Sequence, residues 1–396
     1  MPLSLALRGL RVLDLTRLLP GPFGTLILAD LGADVVKIEQ PGAGDYLRML
    51  PPLVDGIGAR FRAVNRGKRS VALDLGCDAG REVLLRLASS ADVVVEGFRP
   101  GVMDRLGIGF AALCEVKPDT ILCSISGYGQ TGPYKARAGH DINFLALSGL
   151  LAELSGDRHP RPLPVQIADL VGGGLFGVVA ILAGLEQRRR GGGPLHLDVS
   201  MTEGVMALIA GEVADLLAAG EARPAPGEAL LTGGLATYGV YPAADGKLLA
   251  VGALEPKFSG VLGPLLGFEA RADDMVAGPA RQRSLAEQIG RSLKTRGREE
   301  WMEVLGAHDV CCEPALAPAE LADHPQHRAR GVLRAGETAW GLSADGPVHT
   351  PCTRVGPDRV APNLGEHTRE VLREAGYDDP QIEALVADEV LADPVG

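Results

Sequence analysis

Leu10-Arg11-Val12-Leu13-Asp14-Leu15 is a short, mostly aliphatic run near the amino terminus, and it predicts a buried β-strand. Pro20-Gly21-Pro22 follows, and proline suits the first turn of a helix. We therefore expect a helix over Phe23 to Leu31, with Gly32 capping its carboxyl end. Asp34 to Glu39 predicts a second strand. This alternation of strand, helix and strand is typical of α/β proteins.

The same alternation continues through the amino-terminal half of the chain. Four further short apolar runs predict strands: Val71 to Leu75, Val93 to Glu96, Ile121 to Ser126 and Leu195 to Val199. Stretches such as Glu82 to Ser89 predict helices between them. We expect a Rossmann-like, doubly wound α/β domain with a mainly parallel sheet. Gly107 to Ala112 fits a loose GxGxxA pattern but does not follow a strand, so it does not predict a dinucleotide site.

A change in composition indicates a second, smaller domain. Gly220 to Gly227 is rich in alanine, proline and glycine, which is typical of a linker. After it, Thr237 to Tyr241 and Lys247 to Val251 flank Asp245-Gly246, the pattern of a β-hairpin. Helical patterns follow, so this part is predicted to be α+β. The expected domains are residues 1–221 for the first part of the large domain, 222–327 for the small domain and 328–396 for a return segment that completes the large domain.

The overall composition excludes some classes of function. The 396 residues include 39 basic and 50 acidic ones, and the formal charge of −11 argues against nonspecific nucleic-acid binding. Six cysteines show no CxxC spacing, which favours reduced thiols in the cytoplasm, and the adjacent Cys311-Cys312 are poor zinc ligands, so we expect no metal site. The amino terminus resembles no signal peptide, and no apolar run approaches the roughly 20 residues of a membrane helix. We therefore expect a cytoplasmic protein without a membrane span.

The stretch from Ser126 to Gly177 holds the main candidate for chemistry. A glycine-rich loop leads to His140, and a second loop leads to Asp169. Each residue lies just ahead of an apolar segment that predicts a helix, Ile142 to Leu154 after His140 and Leu170 to Gln187 after Asp169, and a further helix is predicted over Ser200 to Ala218. Two titratable groups at neighbouring helix starts fit proton transfer to and from a substrate carbon. A buried core histidine and a plain helix cap are the alternatives, and these residues alone leave them open. At a helix start, Asp169 is expected to favour its ionised form.

Two further features near this stretch predict close contacts or charge. Gly172, Gly173 and Gly174 are unfavourable inside a helix, which suggests that another backbone or a ligand approaches closely. Cations concentrate in one part of the chain: Arg62, Arg66, Lys68 and Arg69, with Arg99 and Arg105 further on. This set is either a solvated surface run or a site for the phosphates of an anionic ligand.

Gly139-His140-Asp141-Ile142-Asn143, followed by Asp169 ahead of three glycines, resembles the α-methylacyl-CoA racemase branch of the class III (CaiB/BaiF-type) CoA-transferase family. The resemblance covers nearly the whole chain. It includes Leu10 to Leu15, Gly32 to Glu39, Asn65 to Ser70, Phe98 to Gly101 and Leu364 to Thr368. It implies an enzyme of acyl-CoA and lipid metabolism that needs no cofactor beyond the CoA moiety of its substrate. It also implies a homodimer of two interlocked protomers.

The resemblance implies where coenzyme A binds. The basic set would meet its phosphates through Arg62, Lys68, Arg99 and Arg105. The segments Leu73-Asp74-Leu75-Gly76 and Gly139 to Phe144 would border the cofactor, which adds Gly139, Asn143 and Phe144 to the expected contacts. Gln40 stands where many relatives have an arginine, and Gly76 where many have a lysine.

The resemblance also implies the reaction. His140 would serve one enantiomer of a 2-methylacyl-CoA and Asp169 the other, with Asp141 and Glu255 orienting or tuning His140. Glu255 precedes Pro256 at a predicted helix start, so a capping role is equally open. In the CoA-transferase branch, an aspartate at the position of Asp169 instead carries a covalent intermediate. A CoA-binding protein without catalysis is the third hypothesis.

Overall fold

A six-stranded parallel sheet forms the centre of the larger part of the computed structural model, which describes residues 3–154, 162–220, 224–336, 342–343, 346, 348–349 and 360–392. The strands are β1 (Arg11–Leu15), β2 (Asp34–Glu39), β5 (Arg69–Ala72), β6 (Val93–Glu96), β7 (Ile121–Ser126) and β8 (Leu195–Ser200). Their order is β5-β2-β1-β6-β7-β8, and every neighbouring pair is parallel. The prediction of a mainly parallel α/β sheet is confirmed.

The chain forms two compact units. The large unit comprises Met1–Gly149, Pro162–Ile209 and Pro325–Gly396, and the small unit comprises Leu150–Arg161 and Ala210–His324. The main boundaries between the units therefore lie after Ile209 and after His324, whereas the sequence predicted them after residues 221 and 327. The sequence also did not predict that Leu150–Arg161 belongs to the small unit. A composition shift predicts a linker, but it does not show to which core the helix before it belongs.

Helices cover the sheet and connect its strands. Those of the large unit are α1 (Pro20–Asp30), α2 (Ala59–Asn65), α3 (Asp78–Ala88), α4 (Val102–Arg105), α5 (Phe110–Val116), α6 (Asp141–Ser148), a π-helix (Ala168–Leu175), α8 (Phe176–Arg189), α9 (Met201–Leu208), α14 (Pro325–Arg330), α15 (Thr368–Glu374) and α16 (Asp379–Ala387). A short antiparallel pair, β3 (Leu53–Val54) and β4 (Ile57–Gly58), precedes α2. α3 buries Val83, Leu84 and Leu87 against the sheet because these residues recur with helical spacing.

The small unit is built on a three-stranded antiparallel sheet. β9 (Tyr238–Pro242) and β10 (Leu248–Gly252) form the predicted hairpin, and β11 (Cys312–Ala315) pairs with β10. The helices of this unit are α7 (Leu150–Glu153), α10 (Ala210–Ala219), α11 (Pro256–Leu266), α12 (Pro279–Leu293) and α13 (Arg298–Leu305). α12 and α13 pack on the sheet around Leu285, Ile289 and Trp301.

Chain order places a crevice in the large unit. β1 lies at the centre; the chain builds outward through β2 and β5 on one side, then returns to β6 and continues on the other. The loops that leave the carboxyl ends of β1 and β6 therefore diverge, and such a switch point is where open α/β sheets bind ligands. Leu15 and Glu96, which pair at this edge, mark the place.

Three long predicted helices differ from the structure. The helix expected over Ile142 to Leu154 is interrupted at Gly149, whose φ is +93°, and the one over Ser200 to Ala218 is interrupted at Ile209. The helix expected from Leu170 begins as the π-helix. Apolar periodicity predicts a helical face but not the local change of hydrogen bonding that ends or widens a turn.

One helix is long and apolar enough to cross a membrane by length and composition alone, namely the 22 residues Ala168–Arg189. Length and composition alone do not distinguish a membrane span from a buried core helix, so the expectation of a chain without a membrane span stays a prediction. Two glycines of this helix, Gly177 and Gly184, lie against side chains of the sheet, Ile125 and Leu195. The apolar residues of this helix are therefore also explained by its packing against the sheet.

Candidate active site

The crevice contains a cavity of about 700 Å³ that is lined only by residues of the large unit. Its wall includes the loop after β1, the loop after β6 and the end of β7 at Ser126. His140 and Asp169 both line this cavity. The two candidate groups, 29 positions apart in the sequence, therefore share one cavity at the switch point of the sheet.

His140 lies at the amino-terminal end of α6, with extended backbone and an exposed side chain. The His140 N–H donates to Asn143 Oδ1 at 3.0 Å, and the Asn143 N–H donates to the His140 carbonyl at 2.8 Å. Asn143 thus fixes the backbone that carries the imidazole. Because His140 is exposed to the cavity, the interpretation of a buried core histidine is wrong.

Phe144 explains why glycines lead to His140. Its ring is 4% exposed and packs edge-on against Tyr128, with ring centroids 5.1 Å apart. A Cβ on Gly139 would lie 2.6 Å from the Phe144 ring, and one on Gly127 would overlap it. The two glycines therefore let the loop lie directly on the aromatic ring, and this contact positions His140 at the edge of the cavity.

Asp169 lies on the π-helix, which glycines allow to pack closely between two other helices. A Cβ on Gly172 would overlap the Met201 carbonyl at the start of α9, and one on Gly174 would lie 2.7 Å from the Pro20 carbonyl oxygen at the start of α1. The expectation that another backbone approaches this segment is confirmed. The N-cap of the π-helix is Ile167, so the interpretation of Asp169 as a plain cap is wrong.

Burial, and secondly the negative charge of Asp141, raise the pKa of Asp169 to about 7. This is a correction, since the sequence predicted that a helix start would favour the ionised form. At this half-buried position the loss of solvent raises the pKa of Asp169 by more than the helix dipole lowers it. A carboxyl group with such a pKa can both accept and donate a proton near neutrality.

Asp141 contacts the backbone of Asp169, while its expected role towards His140 stays a prediction. Its Oδ1 accepts the Asp169 N–H at 3.1 Å. Burial raises the pKa of Asp141 as well, opposed by this backbone hydrogen bond and by one from Ala168. Asp141 therefore joins the amino-terminal end of α6 to the start of the π-helix and holds the two candidate groups on one framework.

A second, smaller cavity of about 230 Å³ opens beside the first. Its wall includes Leu73, Asp74, Leu75 and Gly76, the segment expected to border the cofactor, together with Gln40. Three residues line both cavities: Leu15, Arg17 and Phe98. The predicted cofactor segments, Leu73 to Gly76 and Gly139 to Phe144, thus lie on two neighbouring cavities.

Lys68, expected at the phosphates of CoA, belongs to the core instead. It is 3% exposed, and its Nζ donates to Asn65 Oδ1 and Thr25 Oγ1, both at 2.8 Å, and to the Pro22 carbonyl at 3.0 Å. It also pairs with Asp14 Oδ2 at 3.1 Å. An ammonium with its donors used in this way does not reach a ligand phosphate.

The other arginines of that run are also paired within the protein. Arg62 pairs with Asp55 at 2.7 Å, Arg66 forms a buried pair with Asp30, and Arg69 pairs with Asp34 and Glu374. Arg105 lines neither cavity, whereas Arg99 lines the larger one. Three cations that the sequence analysis missed line the larger cavity as well: Arg17, Lys135 and Arg137. The position of Arg17 directly after β1, at the carboxyl edge of a parallel sheet, was the available signal.

Glu255 lies in the small unit as the N-cap residue of α11, and its side chain makes no capping hydrogen bond. Its carbonyl accepts the Ser259 N–H at 3.1 Å. Its catalytic role stays a prediction. Within the described part of the chain, no three histidine, cysteine, aspartate or glutamate side chains gather in a way that could hold a metal ion.

The chain matches known proteins over nearly its whole length. The sequence model of CoA-transferase family III matches residues 7–368. Alpha-methylacyl-CoA racemase from Mus musculus is 35% identical over 389 residues, which cover 98% of each chain. Succinyl-CoA:glutarate CoA-transferase from Mus musculus is 33% identical over 397 residues, which cover 97% of this chain and 90% of that protein.

A solved structure agrees with these matches. The crystal structure of a CAIB/BAIF family protein from Brucella suis superposes with a TM-score of 0.80 at 32% sequence identity, covering 93% of this chain and 99% of that one. Racemases and transferases are thus similar to this chain to nearly the same degree. The choice between the two reactions depends on the chemistry of the site.

Proposed function

This chain belongs to CoA-transferase family III, and we propose that it is a racemase or epimerase of 2-methylacyl-CoA thioesters. His140 and Asp169 are the acid/base pair that moves a proton from one face of the α-carbon to the other. The observation that carries the proposal is that both groups line one cavity, where burial and Asp141 raise the pKa of Asp169 to about 7. CoA is the only cofactor moiety in the proposal.

The reaction needs one proton shared between the two groups. The group without the proton takes the α-hydrogen, and the electron pair of the C–H bond moves into the thioester carbonyl to give an enolate. The other group then delivers its proton to the opposite face of the carbon, and the enolate electrons form the new C–H bond. The two directions start from the two tautomers of the pair, neutral His140 with protonated Asp169 or protonated His140 with ionised Asp169.

The developing enolate oxygen requires hydrogen-bond donors. Backbone N–H groups of the loop before α6 and of the first turn of α6 are the candidates, because Gly127 and Gly139 leave the backbone uncovered and a helix start carries partial positive charge. Asn143 and Asp141 position the pair through backbone hydrogen bonds. The role of Glu255 and the interlocked homodimer are parts of the proposal that rest on the resemblance, and a cytoplasmic location rests on the cysteine spacing.

The alternative is a CoA-transferase in which Asp169 attacks the acyl-CoA and carries it as a covalent intermediate. That route needs Asp169 as an ionised nucleophile and gives His140 no proton to transfer. The raised pKa of Asp169 leaves a large part of this carboxyl protonated at neutral pH, which suits acid/base work better than nucleophilic attack. This observation favours the racemase.

The experiment is deuterium uptake from D₂O at the α-carbon of a 2-methylacyl-CoA. Uptake without any free acid acceptor supports the racemase, whereas CoA exchange that depends on an acceptor acid and occurs without uptake refutes it in favour of the transferase. Asp169→Ala is expected to abolish uptake while coenzyme A still binds, as measured by calorimetry. Uptake that persists in Asp169→Ala would remove this residue from the mechanism, and a wild type that binds CoA without either reaction would leave only a binding protein.

A further inference from the structure

Three polar side chains, Glu96, Ser124 and His196, connect the neighbouring strands β6, β7 and β8 of the large sheet. Glu96 and Ser124 are paired in register, and Ser124 forms a side-chain hydrogen bond with the Glu96 carboxylate. Ser124 Oγ lies 2.9 Å from His196 Nε2. Glu96 is 4% exposed and Ser124 is 2% exposed, whereas His196 is exposed to solvent. A hydrogen-bonded chain, here called the relay, therefore runs from the surface to a buried carboxyl group.

The carboxyl group of Glu96 is buried without a cation to offset its charge. In the described part of the chain, no lysine or arginine pairs with it. Burial raises the pKa of Glu96 to about 7, and the negative charge of Asp104 on α4 acts in the same direction. The hydrogen bonds from Ser124 and from the Phe98 N–H oppose this rise. Glu96 is therefore able to gain or lose its proton near neutrality.

The other titratable groups around the relay lie on β7 and β8. Burial, and secondly the charges of Glu96 and Asp198, raise the pKa of the Cys123 thiol to about 12, so this thiol stays neutral. The carboxylate of Asp198 accepts the Gln130 N–H at 3.0 Å. The His196 ring stacks on Phe110, with centroids 5.3 Å apart, and this contact fixes the outer end of the relay.

Glu96 also holds the loop that follows β6. Its Oε2 accepts the Phe98 N–H at 2.7 Å. All four residues of this loop, Gly97 to Pro100, line the larger cavity. An ionised carboxylate binds an amide N–H more strongly than a protonated carboxyl group does. The charge on Glu96 therefore affects how firmly this part of the cavity wall is held.

We propose that Glu96 is a positioning residue whose proton sets how tightly the loop Gly97 to Pro100 is held in the wall of the larger cavity, and that Ser124 and His196 carry this proton between Glu96 and solvent. The proton on Nε2 of protonated His196 forms a new bond to Ser124 Oγ, while the hydroxyl proton of Ser124 moves to the Glu96 carboxylate. One N–H and one O–H bond break, two O–H bonds form, and the charges of His196 and Glu96 disappear together. When the pH rises, the same bonds form and break in reverse. This inference goes beyond the proposed reaction and does not depend on it.

The first test follows the Phe98 amide by NMR. Labelling with ¹⁵N-phenylalanine marks eight amides, and Phe98→Leu identifies the one that belongs to Phe98. In the wild type, titration from about pH 5 to about pH 9 is expected to shift this signal with a midpoint near 7, because its acceptor changes charge. Glu96→Gln, which has the same shape but does not titrate, is expected to abolish the transition. A transition that persists in Glu96→Gln would overturn the proposal.

Other substitutions are expected to move this midpoint in opposite directions. Ser124→Ala removes a hydrogen bond that favours the ionised form and should raise the midpoint, whereas Asp104→Asn removes a like charge and should lower it. His196→Ala should raise it as well, since the imidazole supports the Ser124 hydroxyl. An unchanged midpoint in His196→Ala would overturn the relay. Asp169→Asn should keep the transition, so its loss there would assign the signal to the acid/base pair and overturn the proposal.

The second test measures how firmly the loop is held. Hydrogen exchange of the peptide that contains Phe98 is compared between the wild type and Glu96→Gln at the same pH. At about pH 8.5 the loop is expected to exchange about fivefold more slowly in the wild type, and at about pH 5.5 equally in both proteins. Glu82→Gln is the matched control, because Glu82 is exposed and lines neither cavity. Equal exchange at both pH values would overturn the proposal, and so would an equal difference at both, which would leave Glu96 with a purely structural role.

Discussion

Replacing Asp141 by asparagine removes one negative charge beside Asp169 and leaves an amide oxygen that can still accept the Asp169 N–H. Burial is the larger cause of the raised pKa of Asp169, and the charge of Asp141 is the smaller one. The substitution is therefore expected to lower the pKa of Asp169 from about 7, by less than half of its elevation above the ordinary aspartate value of 3.8.

In the proposed mechanism the enzyme is active with one proton on the pair of His140 and Asp169, so kcat/KM is expected to have an acidic and a basic limb that both enantiomers share. A lower pKa of Asp169 moves the acidic limb of kcat/KM to lower pH, by no more than the pKa of Asp169 itself falls. The assay is deuterium uptake from (R)- and (S)-2-methylacyl-CoA from about pH 5 to about pH 9.

The control is Asp78→Asn, which removes the same charge at a side chain that is 91% exposed. An acidic limb that coincides in Asp141→Asn and the wild type would refute the electrostatic coupling of Asp141 to Asp169. So would a uniform fall of kcat at every pH, since that result would leave Asp141 with a purely structural role.

Three further substitutions test the site and its support. Asp169→Asn is expected to stabilise the protein by up to about 3 kcal/mol above pH 7 and not near pH 4. The reason is that this carboxyl ionises at lower pH in the unfolded chain than in the folded one, so the wild type loses stability as the pH rises from about 4 to about 7. Urea unfolding at both pH values measures the difference. Lys68→Met is expected to lower the unfolding free energy by about 3–5 kcal/mol, since it leaves Asp14 buried without this partner. Unchanged CoA affinity of the folded variant would show that Lys68 does not bind a phosphate of CoA. Gly127→Ala is expected to cost about 1–3 kcal/mol because its Cβ overlaps the Phe144 ring, and an unaltered melting temperature would contradict that packing.

The sequence predicted the sheet well where strands are buried on both faces. Asp34 to Glu39, Val93 to Glu96 and Ile121 to Ser126 have the predicted bounds, because a short aliphatic run between polar turns has few alternatives in an α/β protein. The hairpin of the small unit was predicted to within one residue, since Asp245-Gly246 specifies its turn. Local pattern and final structure agree at these elements.

Electrostatics could not be predicted in the same way. The acids that pair with Lys68, Arg66 and Arg69 lie 54, 36 and 35 positions away, so no local pattern distinguishes a paired cation from a free one. The raised pKa of Asp169 has the same origin, because it depends on burial in the folded chain and on a charge 28 positions away. Arg17, isolated in sequence, offered no cluster to notice.

The end of the chain has a consequence for synthesis on the ribosome. β5 is an edge strand, and beyond it the Asp74 N–H donates to the Val390 carbonyl at 2.9 Å while Leu73 pairs with Leu391. About 300 residues separate these partners, which at roughly 5–20 residues per second is about 15 to 60 seconds of translation. Throughout that time the nascent chain exposes an unpaired β edge, the kind of surface on which chains aggregate. Protection of β5 by chaperones is therefore most needed before Val390 and Leu391 emerge, and removal of these two residues is expected to take away a support of Leu73 and Asp74 in the wall of the smaller cavity.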